Sequence, residues 1–378
     1  MANSGERKWS GKLLASGGRL CTALAIAALA LGSRATLVMA AGAPPAGSVA
    51  IDQSPVQNIV AYPQPPANLN PLSASDAVLE QNGYPPRPDA VNAPSAYARW
   101  QKMVSARRVA NSVMQATTIY NGPAQHVLAG RSIANGTVST TSTNWSGYAV
   151  TGASGTFAHN KSFIFAEWIV PVAQQAFGVC NGFWDYSSQW DGFDGFGSGD
   201  VLQAGTEADA FCSASGKSTF YSSWIEWYPF AETRVSVPAV QPGDLMSAEV
   251  WYTTSAPFGH AYLVNYTLNQ AQSYAFNPPS GTIFQGNSAE WVEERPGISS
   301  GLADLTNYVA DPFNITYAYN QTSFFYPGSS PAGTTIYAIR MTCPPWTPSS
   351  ACSSTTTIST PHLYGLDTLW FYDSGPAL

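Results

Sequence analysis

Along the second half of the chain, apolar and polar residues alternate over short runs and not at helical spacing. Ser162-Phe163-Ile164-Phe165-Ala166, Ser247-Ala248-Glu249-Val250-Trp251-Tyr252, Asn314-Ile315-Thr316-Tyr317-Ala318-Tyr319 and Thr368-Leu369-Trp370-Phe371-Tyr372 are separated by clusters of Gly, Pro, Asn and Ser. A period of two with frequent turn residues predicts strands. Many short strands with no long helical period predict an all-β domain, a sandwich or barrel, over 144–378. The first half reads differently. Residues 44–95 are rich in Pro, Ala, Asn and Gln and read as extended and irregular. Ser95 to Thr117 predicts a helix, with Pro94 just before it and Trp100, Met103, Val104 and Val109 at roughly helical spacing.

The N-terminal end adds a targeting signal. Arg7, Lys8, Lys12 and Arg19 flank an apolar stretch of twelve, Leu20 to Leu31, and small residues follow around Val38-Met39-Ala40-Ala41. Twelve residues fall short of the ~20 needed to span a bilayer. Residues 1–43 are therefore expected to be a cleaved signal peptide, leaving a secreted protein, extracellular or periplasmic, with no stable membrane span. Cysteine usage agrees. Cys21 would leave with the signal, and Cys180, Cys212, Cys343 and Cys352 remain, an even number. The pairs Cys180–Cys212 and Cys343–Cys352 are expected because both close local loops. No C-x-x-C spacing exists and the four histidines are scattered, so neither a metal site nor a cofactor is expected.

Charge changes the picture again. Apolar residues make up 45% of the chain and aromatics 13%, ample for a core, while charged residues are only 10%, against the usual quarter or so. From Asn144 onward five basic residues, Lys161, Lys217, Arg234, Arg295 and Arg340, stand against eighteen Asp and Glu. That balance argues against nucleic-acid binding, which needs a basic face. It suits acid conditions, where protonated carboxylates leave little positive charge to repel itself. The region 44–143 is instead slightly basic, and Arg99, Lys102, Arg107 and Arg108 give the expected helix a basic face. Two readings stay open for it. It is a prosegment held to the acidic domain by charge until acid neutralises the carboxylates, or an N-terminal brace that stays attached. Asn144, Asn160, Asn265, Asn314 and Asn320 head Asn-x-Ser/Thr acceptors, which would lie on the surface if glycosylated.

Strand alternation assigns side chains to faces. Gln203 and Glu207 fall on one face of their strand, Trp224, Glu226 and Tyr228 on one face of theirs, and Glu290 points with Val292 and Glu294. If those faces adjoin, they line a polar and aromatic groove that suits an extended peptide or a sugar chain.

The order of motifs carries a resemblance. Asn144-Trp145-Ser146-Gly147-Tyr148, Trp168-Ile169-Val170-Pro171, Trp190-Asp191-Gly192-Phe193-Asp194-Gly195, Leu202-Gln203-Ala204-Gly205, Trp224-Ile225-Glu226-Trp227-Tyr228-Pro229, Pro242-Gly243-Asp244 and Ser288-Ala289-Glu290-Trp291 follow one another along the chain. In this order they resemble the secreted glutamic peptidases, the eqolisin family of acid endopeptidases. The resemblance implies a sandwich of two antiparallel sheets, a concanavalin-like jelly roll, acting on protein or peptide substrates. It implies a catalytic dyad at Gln203 and Glu290. Trp190, Asp194, Glu207, Trp224, Glu226 and Tyr228 match cleft residues that orient the dyad or the substrate. Two departures stand out: Glu207 where the fungal enzymes carry Asp, and Ser222 where they tend to carry an acid. The connection from Tyr319 to Cys352 also reads as a longer loop than the family pattern requires. A monomer is expected.

The chemistry suits that pair. An ionised Glu290 takes a proton from the water that attacks the peptide carbonyl and hands it to the leaving amine. The Gln203 amide donates to the developing oxyanion, worth about 3 kcal/mol for a well-placed donor. With an unshifted Glu ionising near ~4.3, activity is expected around pH ~3–4. Glu167 and Glu249 sit in similar Ala-Glu contexts, but their place in the order assigns them to structural strands, where an exposed glutamate is the default. His159, His260 and His362 have no nucleophile setting such as G-x-S-x-G. Two rival readings use the same groove. A glycoside hydrolase would take its acid pair from Glu226, Glu290 and Glu294, with Trp224 and Tyr228 stacking on sugar. A carbohydrate-binding module would have no catalysis at all.

Overall fold

The structure is a computed structural model that describes residues 59–125, 131–132, 136–176, 180, 182–343 and 356–373. The expected signal peptide at 1–43, Cys21 and Cys352 lie outside the described residues. Strands account for 48% of the described residues and helix for 7%, and the all-β expectation holds.

Two layers pack face to face. The first is the row Thr233–Val235, Gly216–Tyr228, Val201–Ser213, Ser188–Phe193, Ser288–Glu294, Trp145–Thr151 and Thr335–Thr342, each antiparallel to the next. Thr137–Ser142 extends that edge as a parallel neighbour of Thr335–Thr342, with the short Arg131–Ser132 antiparallel beyond it. The second is Thr368–Asp373, Ala310–Tyr319, Ser162–Ile169, Leu245–Tyr252, Gly259–Asn265, Gln270–Phe276 and the short Ile59–Ala61, all antiparallel. Thr357–Tyr364 pairs with both Thr335–Thr342 and Thr368–Asp373 and so links the layers. The core between them follows from alternation. Tyr148, Phe193, Leu202, Ala204, Ile225, Ala289 and Trp291 point inward from the first layer, and meet Ile164, Ala166, Trp168, Ala248, Val250 and Leu263 from the second.

The segment before Asn144 covers both outer faces. A short helix, Asp76–Gln81, is capped by Ser75, whose hydroxyl accepts the Val78 N–H. A second helix, Pro94–Val104, starts on a proline suited to the first turn. Leu79, Trp100, Met103 and Val104 bury against Phe163, Phe165, Trp251, Tyr262 and Tyr317 on the outer face of the second layer. The second helix ends at Val104, not at the expected Thr117. Beyond it the chain turns extended: Val109 N–H bonds to Ala271 O at 3.0 Å, and Met114–Ala116 pairs with Thr233–Val235. The first helix lies where irregular chain was expected.

The expected basic helix face is dispersed. Arg107 and Arg108 lie past the helix, and Arg108 is buried with its guanidinium on the Gln272 side chain at 2.8 Å. Lys102 does reach the sandwich, pairing with Glu167 at 2.5 Å. Glu167 and Glu249 are buried under the helices, not exposed as expected. The surface expectation fails at Asn144, Asn265 and Asn320, which are also buried. The expected loop from Tyr319 contains a full strand of the first layer, Thr335–Thr342. Cys180 and Cys212 form the expected disulfide, with Cα atoms 4.7 Å apart. No helix among the described residues is long and apolar enough to cross a membrane.

Candidate active site

Strand register brings the two motif residues onto one line. Gln203 pairs with Gly192 on one side and with Glu226 on the other. Glu290 pairs with the same Gly192, and beyond it with Ala149. Directly opposed residues of an antiparallel sheet share a face. Glu226, Gln203, Gly192 and Glu290 therefore form a row on the outer face of the first layer. Gln203 and Glu290 stand two strand spacings apart, about 9–10 Å at the backbone, with only a glycine between them. That glycine has a steric reason: a Cβ there would lie 2.7 Å from Leu202 O and 2.8 Å from the Gln203 Cβ.

The next row along is aromatic. Trp224, Gly205, Trp190 and Val292 are mutually opposed, and a Cβ on Gly205 would meet the Trp190 Cβ at 2.7 Å and the Trp224 ring at 2.9 Å. The missing side chain lets the two indoles close over the strand. Trp190 donates its Nε1–H to Glu294 Oε2 at 3.0 Å and meets the Trp145 ring edge-on at 5.0 Å. The third row holds Ser222, Glu207, Ser188 and Glu294. Glu207 bonds Arg234 Nη2 at 2.5 Å, and the same guanidinium reaches Glu232 at 3.2 Å and Asp209 at 3.7 Å. One arginine thus neutralises part of a three-carboxylate cluster.

The predicted cleft residues all gather on or beside this face. Asp194 sits at the end of its strand with φ 69°, and its carboxylate accepts the N–H groups of Gln285, Gly286 and Asn287 at 2.8–2.9 Å. It thereby fixes the loop that leads into the Glu290 strand. Glu226 Oε2 accepts from Gln203 Nε2 at 3.3 Å and holds the amide in place. Tyr228 is half-buried at the rim. Sequence reasoning missed Asn144, Glu232 and Arg234 as members of the site. Asn144 could have been read from its motif. It ties the Glu294 carboxylate, at 3.0 Å, to the carbonyls of Gly122 and Pro123 at 3.3 and 3.1 Å. Asn121 was missed as well and carries no sequence signal. Its carbonyl accepts from Gln203 Nε2, and its own N–H donates to Glu226 Oε2 at 3.0 Å.

The electrostatics are those of crowded acids out of water. Glu290 is fully buried, and burial holds its carboxyl well above the usual range, with the charges of Asp194 and Asp200 adding to the effect. Burial likewise raises Glu226, helped by Glu232, and raises Glu294 against the hydrogen bonds of Asn144 and Trp190. Burial lifts Asp194 to about 7. The unshifted Glu290 expected from sequence is therefore not what this arrangement provides. Among the described residues no group of three or more His, Cys, Asp or Glu side chains is arranged to hold a metal ion.

A search of curated protein sequences finds no match. Among solved structures, scytalido-glutamic peptidase with a peptide-based transition-state analogue aligns at 19% identity, covering 61% of this chain and 98% of that one, with a TM-score of 0.46. SCP-B, a member of the eqolisin family in complex with the tripeptide Ala-Ile-His, aligns at 17% identity over 61% of this chain and 98% of its own, TM-score 0.43. Aspergilloglutamic peptidase from Aspergillus niger aligns at 22% identity over 50% of this chain and 99% of its own, TM-score 0.40. The sequence profile described as the Peptidase A4 family matches residues 143–360, which contain every predicted cleft residue. The chain belongs to the Peptidase A4 family, the eqolisins, and is a glutamic peptidase, a hydrolase of peptide bonds.

Proposed function

We propose that the protein is a secreted acid endopeptidase in which Gln203 and Glu290 act as a dyad on a bound peptide. The observation that carries this reading is the shared register of the two residues on Gly192, which aims both side chains over the same bare stretch of backbone. A peptide carbonyl above Gly192 is within reach of both. The ionised form of Glu290, a small fraction in acid because burial raises its carboxyl, removes a proton from water as the oxygen attacks the carbonyl carbon, and then passes that proton to the leaving nitrogen. Gln203 donates to the oxyanion, with Glu226 accepting from the same amide nitrogen to fix its direction. Gln203 does not titrate, so it donates throughout the acid range. Trp190 and Trp224 form an apolar floor beside the dyad, which excludes water and strengthens these interactions.

The acidic charge balance after Asn144 and the Cys180–Cys212 bridge support work outside the cell in acid. The test is digestion of a denatured protein by the purified full chain after incubation near pH 4, followed by peptide mass spectrometry. Glu290→Gln is expected to abolish peptide release, and Gln203→Ala to lower the rate about 10²–10³-fold, the range for an oxyanion donor. Wild-type turnover in either variant overturns the dyad.

A further inference from the structure

The second layer, which does not carry the dyad, has a cavity on its outer face, and we propose that this cavity is a binding site for one neutral sugar ring, a hexopyranose. It needs no part of the Gln203/Glu290 reading. Three observations carry it.

The first is an aromatic row set by strand register. Tyr319, Phe163, Trp251 and His260 are directly opposed across four adjacent strands, so their rings share one face. The chain before Asn144 supplies the facing wall with Tyr62, Tyr84 and Pro86. Between the two walls lies a cavity of about 250 Å³, with the exposed Asp76, Glu80 and Gln321 among its lining residues. Sites for drug-sized molecules run to ~300–1,000 Å³, so this one takes a single ring and not a chain.

The second is that the charges on its walls are already matched. Lys161 pairs with Glu80 at 2.9 Å, and Arg87 pairs with Asp76 at 3.4 Å. The Asp89 carboxylate accepts the N–H groups of Val91 and Asn92 in its own turn, at 2.8 and 2.9 Å. An ion entering the cavity would lose its water without gaining a counter-charge. The arrangement therefore selects a neutral ligand.

The third is a pair of hydrogen-bonding groups that the protein leaves unused. His260 is 5% exposed and stacks on Trp251 at 4.8 Å with the planes 5° apart. Its Nε2 lies 3.2 Å from Thr253 Oγ1, and that hydroxyl donates its one proton to Pro257 O at 2.7 Å. The hydroxyl oxygen thus accepts from Nε2–H, which leaves Nδ1 as a buried acceptor with no partner. Burial lowers the imidazole to about 4, so it is neutral in weak acid and above. Arg87 adds the opposite group. Its Nη2 donates to Ala74 O at 2.5 Å, while its buried Nε–H has no partner. A buried acceptor and a buried donor left unmade are costly, and a ligand that satisfies both gains that cost back as affinity. A pyranose does so. Its hydroxyls, spread around the ring, each donate and accept, and its C–H faces pack on the electron-rich faces of aromatic rings. A phenol offers one hydroxyl, and a purely apolar ring offers none.

The experiment titrates the full chain near pH 6 with glucose, mannose, galactose and N-acetylglucosamine in turn. Calorimetry reads the affinity, and saturation-transfer NMR reads contact between the aromatic walls and the sugar protons. At least one sugar is expected to bind saturably with a millimolar Kd and to raise the melting temperature as its concentration rises. His260→Phe keeps the stack on Trp251 and removes the acceptor, and is expected to weaken that binding at least tenfold. Glu80→Trp sets an indole at the cavity from an exposed helix position, where the fold tolerates it, and is expected to block binding. The melting transition of each variant without sugar checks that it is folded, and a variant that melts as the wild type does decides by itself. Saturable binding by none of the four sugars overturns the inference. So does binding that neither variant weakens, which would put the sugar elsewhere on the chain. Phenol that binds where no sugar does reassigns the cavity to an aromatic ring and overturns it as well. All these readings are made without peptide turnover, so failure here and failure of the dyad are told apart.

Discussion

The Trp190 indole shows how a single hydrogen bond sets the shape of the groove. Its ring lies over Gly205, and Nε1–H to Glu294 Oε2 is the one polar contact that fixes which way the ring faces. Glu294 in turn accepts from Asn144 Nδ2 at 3.0 Å. Trp190→Phe keeps the apolar floor but leaves one buried carboxyl oxygen without that donor. The expected loss is about 1–3 kcal/mol of stability, the cost of an unsatisfied buried acceptor, read from the denaturant midpoint at constant slope. An unchanged midpoint would mean that the ring is held by packing alone. The contrast with Glu207 is instructive. Both carboxyls are fully buried in the same row, but Glu207 has a guanidinium and Glu294 has two neutral donors. Strand alternation placed both on one face from the sequence. Nothing in the sequence distinguished their partners, because Arg234 arrives from two strands away and Asn144 from the end of another.

At the scale of strands, the site is a matter of register, and Gly192 is where register and chemistry meet. Gly192→Ala forces a Cβ to 2.7 Å from Leu202 O and 2.8 Å from the Gln203 Cβ, closer than atoms pack. The two strands must separate or slide, at a cost of about 1–3 kcal/mol, and the methyl would stand between the two dyad side chains. A drop in melting temperature together with a large fall in kcat is the expected result. A full kcat with only a lower melting point would show that the bond being cut does not pass over Gly192. The faces of the glutamine, glutamate and Trp224 strands were legible from alternation alone, since the period of two survives wherever one face of a strand is buried. The extension was legible only in part. Trp100, Met103 and Val104 announced a helix, and they are its buried face. Its end was misjudged because Val109 continued an apolar pattern that belongs to an edge-hugging extended stretch. The stretch from Thr117 to Gln125, which lies along the groove, was illegible for a plainer reason. It is uncharged and has no period, and most of its hydrogen bonds to the groove are made by backbone atoms, which every sequence supplies.

For the molecule as a whole, the buried acids set the pH at which the fold is most stable. Glu293 of the first layer and Asp311 of the second meet between the sheets, where a carboxyl pair can share a hydrogen bond only if one is protonated. Burial raises Asp311 to about 8, and raises Asp185 and Asp194 to about 7. A carboxyl whose pKa is higher folded than unfolded binds its proton more tightly in the fold. Its contribution is fully present below the unfolded value near 4 and is lost as pH rises through the folded value. Between roughly pH 4 and 7, each such group lowers stability by up to ~1.4 kcal/mol per pH unit. His260 acts in the opposite sense. Burial against Trp251, whose ring it stacks on at 4.8 Å, lowers it to about 4, so its contribution is lost as pH falls from about 6.5 to 4. One histidine opposes three acids with these values, so the acids decide the sign. Melting temperature is expected to rise as pH falls from 8 to about 4. Asp311→Asn, which removes one titrating partner and keeps the shape, is expected to flatten that rise above pH 6. A melting temperature that climbs from pH 4 to pH 8 would mean that these carboxyls ionise in the fold, and the buried pair between the sheets would then have to be solvated.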